Sequence, residues 1–187
     1  MPKRIPVELY CKQSRKLLFD ANVIISIIWP VPQSRLAQAA KYSRLFSSAI
    51  KFEQEICVDS IILSEVVNRI ARLEYDRHLH RVGLVREDLD FKAFRGITEG
   101  IETFKQIHST FSRTIFPKFD VVGKSFCKEE ISSIDFRGHD FNDLLIESVC
   151  KENDCILVTH DGDFGDSDVD IISGNTKLLS EPSACPS

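Results

Sequence analysis

Four acidic residues stand out because of where each one falls relative to the apolar segments of the chain. Asp20 follows the apolar run Leu17-Leu18-Phe19, and Asp161 follows the apolar run that ends at Thr159. Glu65 and Asp143 each lie near the start of a segment with helical periodicity. Because ligands of open α/β sheets bind outside the carboxyl ends of the strands, one sheet edge would bring these four carboxylates together.

Such a group of carboxylates indicates metal chemistry. Clustered carboxylates repel one another, and at least one becomes protonated unless a cation lies among them. Mg²⁺ and Mn²⁺ prefer oxygen ligands, and Mg²⁺ keeps several waters that a phosphate substrate can replace. The four acids therefore predict a hard divalent ion at this edge.

Each acid also has a purely structural interpretation. Asp20 could bond to its own backbone in a turn, and Glu65 could form an ion pair with Arg69 one helical turn away. Asp140 could cap a helix in which Asp143 occupies the third position, where the helix dipole favours an acid. A cap explains Asp140 well and Asp143 only in part.

The hydrophobic pattern alternates between strands and helices. The expected strands are 17–19, 55–59, 119–122, 155–159 and 169–172, and the expected helices are 34–52, 60–79, 88–114 with an interruption near its two glycines, 127–133 and 140–151. Strands that are apolar at nearly every position are typical of a parallel sheet buried on both faces. The tail beyond Gly174 is expected to be irregular.

Composition excludes several classes of protein. The chain has 187 residues, 43% of them hydrophobic and 28% charged, which suits one globular domain or a domain with an insertion. No apolar run approaches the roughly 20 residues of a membrane span, and the basic N-terminus lacks a signal-peptide core, so we expect a cytoplasmic protein. Six scattered cysteines without a C-x-x-C pair argue against a zinc or disulfide framework.

The charge balance limits how a polyanion could bind. The formal net charge is −4, so the field of the whole molecule does not attract nucleic acid. Any nucleic-acid binding must use local basic patches or a bound metal ion.

Four segments resemble the PIN-domain nucleases in order and local context. They are LLFDANVIIS, LSEVVNR, DFNDLLIESV and ILVTHDGDF, and the resemblance is to the toxins of bacterial virulence-associated-protein toxin–antitoxin pairs. The four acids match the acids of that family in order, Asn22 matches the polar residue that accompanies the first acid, and Asp163 matches a further acid that some members carry.

The resemblance implies an α/β fold with three layers. A central, mostly parallel sheet of about four to five strands would lie between helices in a single domain over residues 1–187. The domain core would cover residues 16–80 and 119–172. Residues 81–118 would form a helical insertion.

The resemblance also implies an Mg²⁺- or Mn²⁺-dependent endoribonuclease. The expected metal ligands and catalytic residues are Asp20, Glu65, Asp143 and Asp161, with Asp163 as a further ligand and Asn22, Asp140 and Thr159 in auxiliary positions. The metal would lower the pKa of a bound water, and one carboxylate would take the water's proton. An antitoxin that covers the groove with an arginine or a helix, and a homodimer, are the partners that the resemblance implies.

RNA contacts are expected from basic residues near the same edge. The interpretation names Arg69, Arg72, Arg77 and Arg81, although an ordinary solvated helix face explains the same pattern. His139 and His160 each precede a motif acid and receive no catalytic assignment.

Two other functions remain open. A haloacid-dehalogenase-like phosphatase needs a second aspartate two residues after the first, where this chain has Asn22, and a lysine motif that the chain lacks. A non-catalytic PIN-like scaffold for RNA or protein would be expected to lack one of the acids, and here all four are present.

Overall fold

The central sheet of the computed structural model, which describes residues 2–135 and 140–179, contains six parallel strands. In chain order they are β1 Arg4–Pro6, β2 Lys16–Phe19, β3 Ile56–Val58, β4 Asp120–Val121, β5 Cys155–Val158 and β6 Ile171–Ser173. Their order across the sheet is β1-β6-β5-β2-β3-β4, and every neighbouring pair is parallel. The predicted parallel α/β sheet is confirmed, with one strand more than expected, because β1 is a short edge strand that contains Pro6 and has no apolar run.

Helices follow most of the strands. They are α1 Ala21–Ile28, α2 Leu36–Lys51, α3 Ser60–Val82, α4 Phe91–Phe94, α5 Thr98–Thr110, α6 Lys128–Ser133, α7 Phe141–Glu152 and α8 Thr176–Leu179. None of these helices is long and apolar enough to cross a membrane. The expectation of an irregular tail beyond Gly174 was wrong for α8, because the side chain of Leu178 is buried in the core. Residues 136–139, which include His139, and residues 180–187 lie outside the described residues.

The order in which the chain adds strands to the sheet reverses between β2 and β5, although the two strands are parallel. From β2 the chain proceeds to β3 and β4 on one side, and it then returns to place β5 on the other side of β2. In open α/β sheets the crevice at such a switch point is where ligands bind. Asp20 directly follows β2, and Asp161 lies shortly after the end of β5.

Strand β2 is anchored on both faces. Leu17, Leu18 and Phe19 are fully buried, as expected for a central strand between two layers. The Phe19 ring meets the rings of Phe46 and Phe119 edge-on, at centroid distances of 6.1 and 5.6 Å. This packing fixes the position from which the chain presents Asp20.

The segment at 81–118 is largely helical, as the sequence indicates. Helices α4 and α5 lie beside α3, and Tyr75, Leu79 and Phe94 form a small separate cluster there. That this segment is an insertion into a compact core, with the boundaries given above, stays a prediction.

Gly100 allows α4 and α5 to approach each other closely. A Cβ atom at this position would lie 1.9 Å from the carbonyl oxygen of Phe94. We expect Gly100→Ala to lower the free energy of unfolding by about 1–3 kcal/mol, because the backbone must shift. Gly123→Ala is the matched control, since nothing lies within 4 Å of its Cβ position and the change should cost less than about 0.5 kcal/mol. Equal denaturant midpoints for the two variants would contradict the prediction.

Candidate active site

Asp20 is held by three hydrogen-bond donors at the start of α1. Its Oδ1 accepts from the backbone N–H of Ala21 at 2.6 Å, and its Oδ2 accepts from Asn22 Nδ2 at 2.5 Å and from Thr159 Oγ1 at 2.6 Å. The residue is only 4% exposed. The structural and functional interpretations of Asp20 are therefore compatible, because one carboxylate both caps α1 and faces the switch point.

Thr159 and Asn22 join the loop after β5 to the turn after β2. Thr159 Oγ1 donates to Asp20 and accepts from the backbone N–H of Asp161 at 3.0 Å. Asn22 Oδ1 accepts from the backbone N–H of His160 at 3.1 Å. Two of the three residues that the sequence marks as auxiliary thus fix Asp20 and Asp161 relative to each other.

Asp161 begins a short 3₁₀ turn, Gly162–Phe164. Its Oδ1 accepts from the backbone N–H of Asp163 at 3.2 Å, and Asp163 is exposed. Asp161 is thus held beside the switch point, whereas Asp163 lies at its solvent side.

Asp140 and Asp143 occupy the start of α7 as expected. The Asp140 side chain caps the helix by accepting from the backbone N–H of Asn142 at 2.8 Å. Asp143 lies in the first turn and is partly buried. Burial and, after it, the negative charges of Asp140, Asp20, Asp161 and Glu65 in that order together raise the pKa of Asp143 to about 7.

Glu65 lies on α3 and takes part in two arrangements. Its carboxylate forms the ion pair with Arg69 at 2.8 Å that the sequence predicts as a structural alternative. It also lines an open groove with Ser60, Ile61, Ser64, Asn68 and Asn142, in which the first turns of α3 and α7 face each other. Glu65 therefore lies at the site while its carboxylate is paired with Arg69.

The acids at this edge share one electrostatic environment. The pKa of Asp20 is raised to about 6, chiefly by burial, and the charges of Glu65 and Asp161 add to the rise while the hydrogen bond from Thr159 opposes it. Charging these groups together is unfavourable, so the site favours a bound cation.

The donor set fits a hard divalent ion bound partly through water. Within the described residues, no three carboxylate, imidazole or thiol groups lie close enough together to hold one ion directly. The carboxylates of Asp20, Asp143, Asp161 and Glu65 nevertheless supply oxygen ligands only, and Mg²⁺ usually keeps several of its own waters.

Tyr42 supports the site and was missed by sequence reasoning. This fully buried residue of α2 places its hydroxyl 3.0 Å from the carbonyl oxygen of Thr159, 2.9 Å from His160 Nδ1 and 2.9 Å from the backbone nitrogen of Gly174. It therefore ties α2 to the loops after β5 and β6. The one available signal was a tyrosine within the apolar stripe of a helix, where a buried hydroxyl needs partners.

The four arginines expected to contact RNA follow α3 but have different neighbours. Arg69 pairs with Glu65, Arg72 lies 4.8 Å from the ring centroid of Phe91, Arg77 donates to the carbonyl oxygen of Pro30 at 2.8 Å, and Arg81 lies 3.3 Å from His78 Nδ1. Of these four, only Arg69 lies at the acidic site. Arg72 lies beside α4, Arg77 lies beside the end of α1, and Arg81 lies near the C-terminal end of α3.

The parallel sheet with acidic residues near its switch point defines an open α/β protein with a candidate site at the sheet edge. Comparison with known proteins identifies its family. The model of the PIN domain matches residues 17–169. The chain therefore belongs to the PIN-domain family, and the three-layer fold expected from the sequence is confirmed. No curated protein sequence gives a significant match.

Two solved structures align with this chain at low sequence identity. VapBC2 from Rickettsia felis, solved bound to a DNA fragment from its promoter, aligns with a TM-score of 0.51 and 14% identity over 84% of this chain and 98% of the other. PAE2754 from Pyrobaculum aerophilum aligns with a TM-score of 0.47 and 17% identity over 88% of this chain and 95% of the other.

The hydroxyl of Tyr42 is expected to contribute measurably to stability. Tyr42→Phe leaves buried groups at Thr159, His160 and Gly174 without this partner, which should cost about 1–3 kcal/mol in the free energy of unfolding. Tyr10→Phe is the matched control, because the Tyr10 hydroxyl makes a long 3.5 Å bond to Gln54. Denaturant unfolding measures both, and equal small effects would contradict the assigned role.

The raised carboxyl pKa values predict a pH dependence of the metal-free protein. An unfolded aspartate titrates near pH 4. The folded Asp20 and Asp143 hold their protons to about pH 6 and about pH 7, so their contribution to stability is complete below pH 4 and is lost as the pH rises through those values.

We therefore expect Asp143→Asn to stabilise the protein at pH 8 in chelator by about 1 kcal/mol, after allowance for solvent screening of this partly exposed group. The gain should disappear near pH 4, and thermal melts across this range measure it. Asp168→Asn, a change at an exposed carboxylate beside Lys151, is the control and should show no such gain. An Asp143→Asn protein that is less stable than wild type at pH 8 would refute the electrostatic account.

Proposed function

We propose that this PIN-domain protein is an endoribonuclease that uses Mg²⁺ or Mn²⁺ to hydrolyse RNA phosphodiester bonds. The observation that carries the proposal concerns four acids near the switch point of the sheet, namely Asp20, Asp143, Asp161 and Glu65. Burial and the charges of these acids raise the pKa of both Asp20 and Asp143. A fold alone does not determine activity, so the proposal depends on this arrangement of acids.

The ion would be held by these four carboxylates, directly or through waters, with Asp163 available at the solvent side. When bound, the metal would lower the pKa of a water and stabilise the charge that develops on the phosphate. Arg69 would have to release Glu65 in part for that carboxylate to turn toward the ion.

The protein's own residues would then divide the remaining work. Asp20 is fixed by Ala21, Asn22 and Thr159, so it suits a ligand of constant position. Asp143 is partly exposed and would take the proton of the attacking water. The water would attack phosphorus in line with the 3′-oxygen, the P–O3′ bond would break, and the 3′-oxygen would take a proton from solvent. The products are a 5′-phosphate and a 3′-hydroxyl, without use of the 2′-hydroxyl.

The phosphatase alternative fits the geometry less well. In that chemistry the residue two positions after the first acid protonates the leaving group. Here Asn22 donates its amide hydrogen to Asp20 and accepts from the backbone of His160, so it is occupied in holding the two loops.

Partners belong to the same proposal. The motifs resemble those of toxins that pair with antitoxins, and the fold is shared with VapBC2 of Rickettsia felis. We propose a cytoplasmic protein whose antitoxin covers the groove lined by Ser60, Glu65 and Asn142, by inserting an arginine or a helix. The sequence resemblance also supports a homodimer.

Divalent-metal-dependent cleavage of a mixed RNA pool tests the activity. We expect cleavage in Mg²⁺ or Mn²⁺ that leaves 5′-phosphate ends and falls by at least about 100-fold in Asp20→Asn and Asp143→Asn, because each substitution removes a charged oxygen ligand. Asp168→Asn, at an exposed carboxylate away from the site, should retain full activity.

Two results would count against the nuclease. Cleavage that survives both active-site substitutions would show a contaminant or a different site. A wild-type protein that cleaves no RNA and whose melting temperature does not rise with metal would favour the scaffold function instead.

A further inference from the structure

A second, oppositely charged surface lies beside the acidic site, on the half of the sheet edge formed by β5, β6 and β1. It comprises Arg35, Lys41 and Lys177, with Arg44 one turn further along α2. We refer to Arg35, Lys41 and Lys177 as the basic surface. Sequence reasoning did not single out these residues, since they come from distant parts of the chain.

The lysine stems are placed against the loops that follow β5 and β6. The Cδ atom of Lys177 lies 3.7 Å from the position that a Cβ atom on Gly162 would occupy, and Gly162 directly follows Asp161. The Cδ atom of Lys41 lies 3.6 Å from the corresponding position on Gly174. The stem of Lys177 thus lies beside the loop that carries Asp161, and the stem of Lys41 lies beside the loop that follows β6.

Hydrogen bonds from neighbouring residues hold this arrangement. Tyr42, adjacent to Lys41, fixes α2 to Thr159, His160 and Gly174 through its hydroxyl. Asn175 Nδ2 donates to the carbonyl oxygen of His160 at 2.8 Å. The basic surface is therefore a fixed part of the sheet edge.

His160 marks the boundary between the two charged regions. Burial lowers the pKa of its imidazole, and the positive charges of Lys41 and Arg35 lower it further, while Asp161 opposes them. Positive groups thus face one side of His160, and the acidic site begins at the next residue. One acid, Glu8, lies within the surface and pairs with Lys41 at 2.6 Å.

The charge balance of the protein favours a local basic surface for binding a polyanionic substrate. The net charge is −4, and the active site itself is acidic. On α3, Arg72 lies over the Phe91 ring and Arg77 is engaged with Glu74 and Pro30. Lys177 instead lies beside the loop that carries Asp161, and Lys41 lies beside Gly174 in the next loop, so an RNA strand that extends from the site in this direction would meet both lysines.

We infer that Arg35, Lys41 and Lys177 form a phosphate-binding surface that holds single-stranded RNA on the β5–β6–β1 side of the active site. The contacts are to the sugar–phosphate backbone, with phosphates competing with Glu8 for Lys41. This inference rests on the proposed ribonuclease function and adds the direction in which the substrate lies.

RNA binding by a cleavage-deficient protein tests the inference. The probe is a fluorescein-labelled pool of random-sequence oligoribonucleotides, and the parent protein is the full chain with Asp143→Asn, measured in Mg²⁺ by fluorescence anisotropy across salt concentrations. Lys41→Gln with Lys177→Gln is expected to weaken binding about tenfold at low salt. The slope of log affinity against log salt should become shallower by about 1.4, or about 0.7 for each lost phosphate contact.

Lys105→Gln is the matched control. Lys105 is also an exposed lysine in a single ion pair, with Glu102 at 2.7 Å, but it lies on α5. It should leave both affinity and slope unchanged. Arg35→Gln alone should lower the slope by about 0.7, which provides a second variant of the basic surface that leaves both lysines in place.

The outcomes separate this inference from the proposed function. If the parent protein binds RNA and the basic-surface variants bind with the same affinity and slope, the inference is wrong while the ribonuclease remains supported. An equal loss in the Lys105→Gln control would also overturn it, because the effect would then follow net charge alone. If the parent protein binds no RNA at all, the inference fails, while the proposed function is decided separately by the cleavage assay on the wild-type protein.

Discussion

The hydrogen bonds that converge on the Asp20 carboxylate are the interaction on which the candidate site depends. A carboxylate that is only 4% exposed must be satisfied by nearby donors, and here the donors come from two loops that are distant in sequence. The hydroxyl of Thr159 donates to Asp20 and accepts from the backbone N–H of Asp161. A single hydroxyl therefore connects the segments that follow β2 and β5 at the switch point. The same bonds that make burial of the acid tolerable also set the geometry of the site.

Structural and chemical roles coincide at several positions instead of competing. Asp20 caps α1, Asp140 caps α7, Asp161 begins a 3₁₀ turn and Glu65 pairs with Arg69. Acids are favoured at helix N-termini, and in this fold several helices begin at the same edge of the sheet. The capping acids are therefore brought close together. What distinguishes the site from a set of caps is that burial, together with the charges of the neighbouring acids, raises the pKa of both Asp20 and Asp143.

The sequence predicted those features that follow from local pattern. The apolar runs located β2, β3 and β5, and the position of Asp20 after β2 led directly to the sheet edge. Strand β1 was not predicted, because three residues with a proline carry no periodic signal and pair only through a partner at the other end of the chain. Tyr42 and the basic surface were missed for a related reason, since their contacts join α2 to loops more than a hundred residues away.

The two edges of the sheet limit how copies of this chain can associate. One edge is β1, which ends in Pro6, and the other is β4, which has two residues. Proline lacks a backbone N–H, and a two-residue strand offers too few groups for an extended ladder, so neither edge is a good template for another strand. Self-association of this protein would therefore proceed through helix surfaces and not through a continuous intermolecular sheet. The same short edges would protect the chain from edge-to-edge aggregation at the high local concentrations that arise during synthesis.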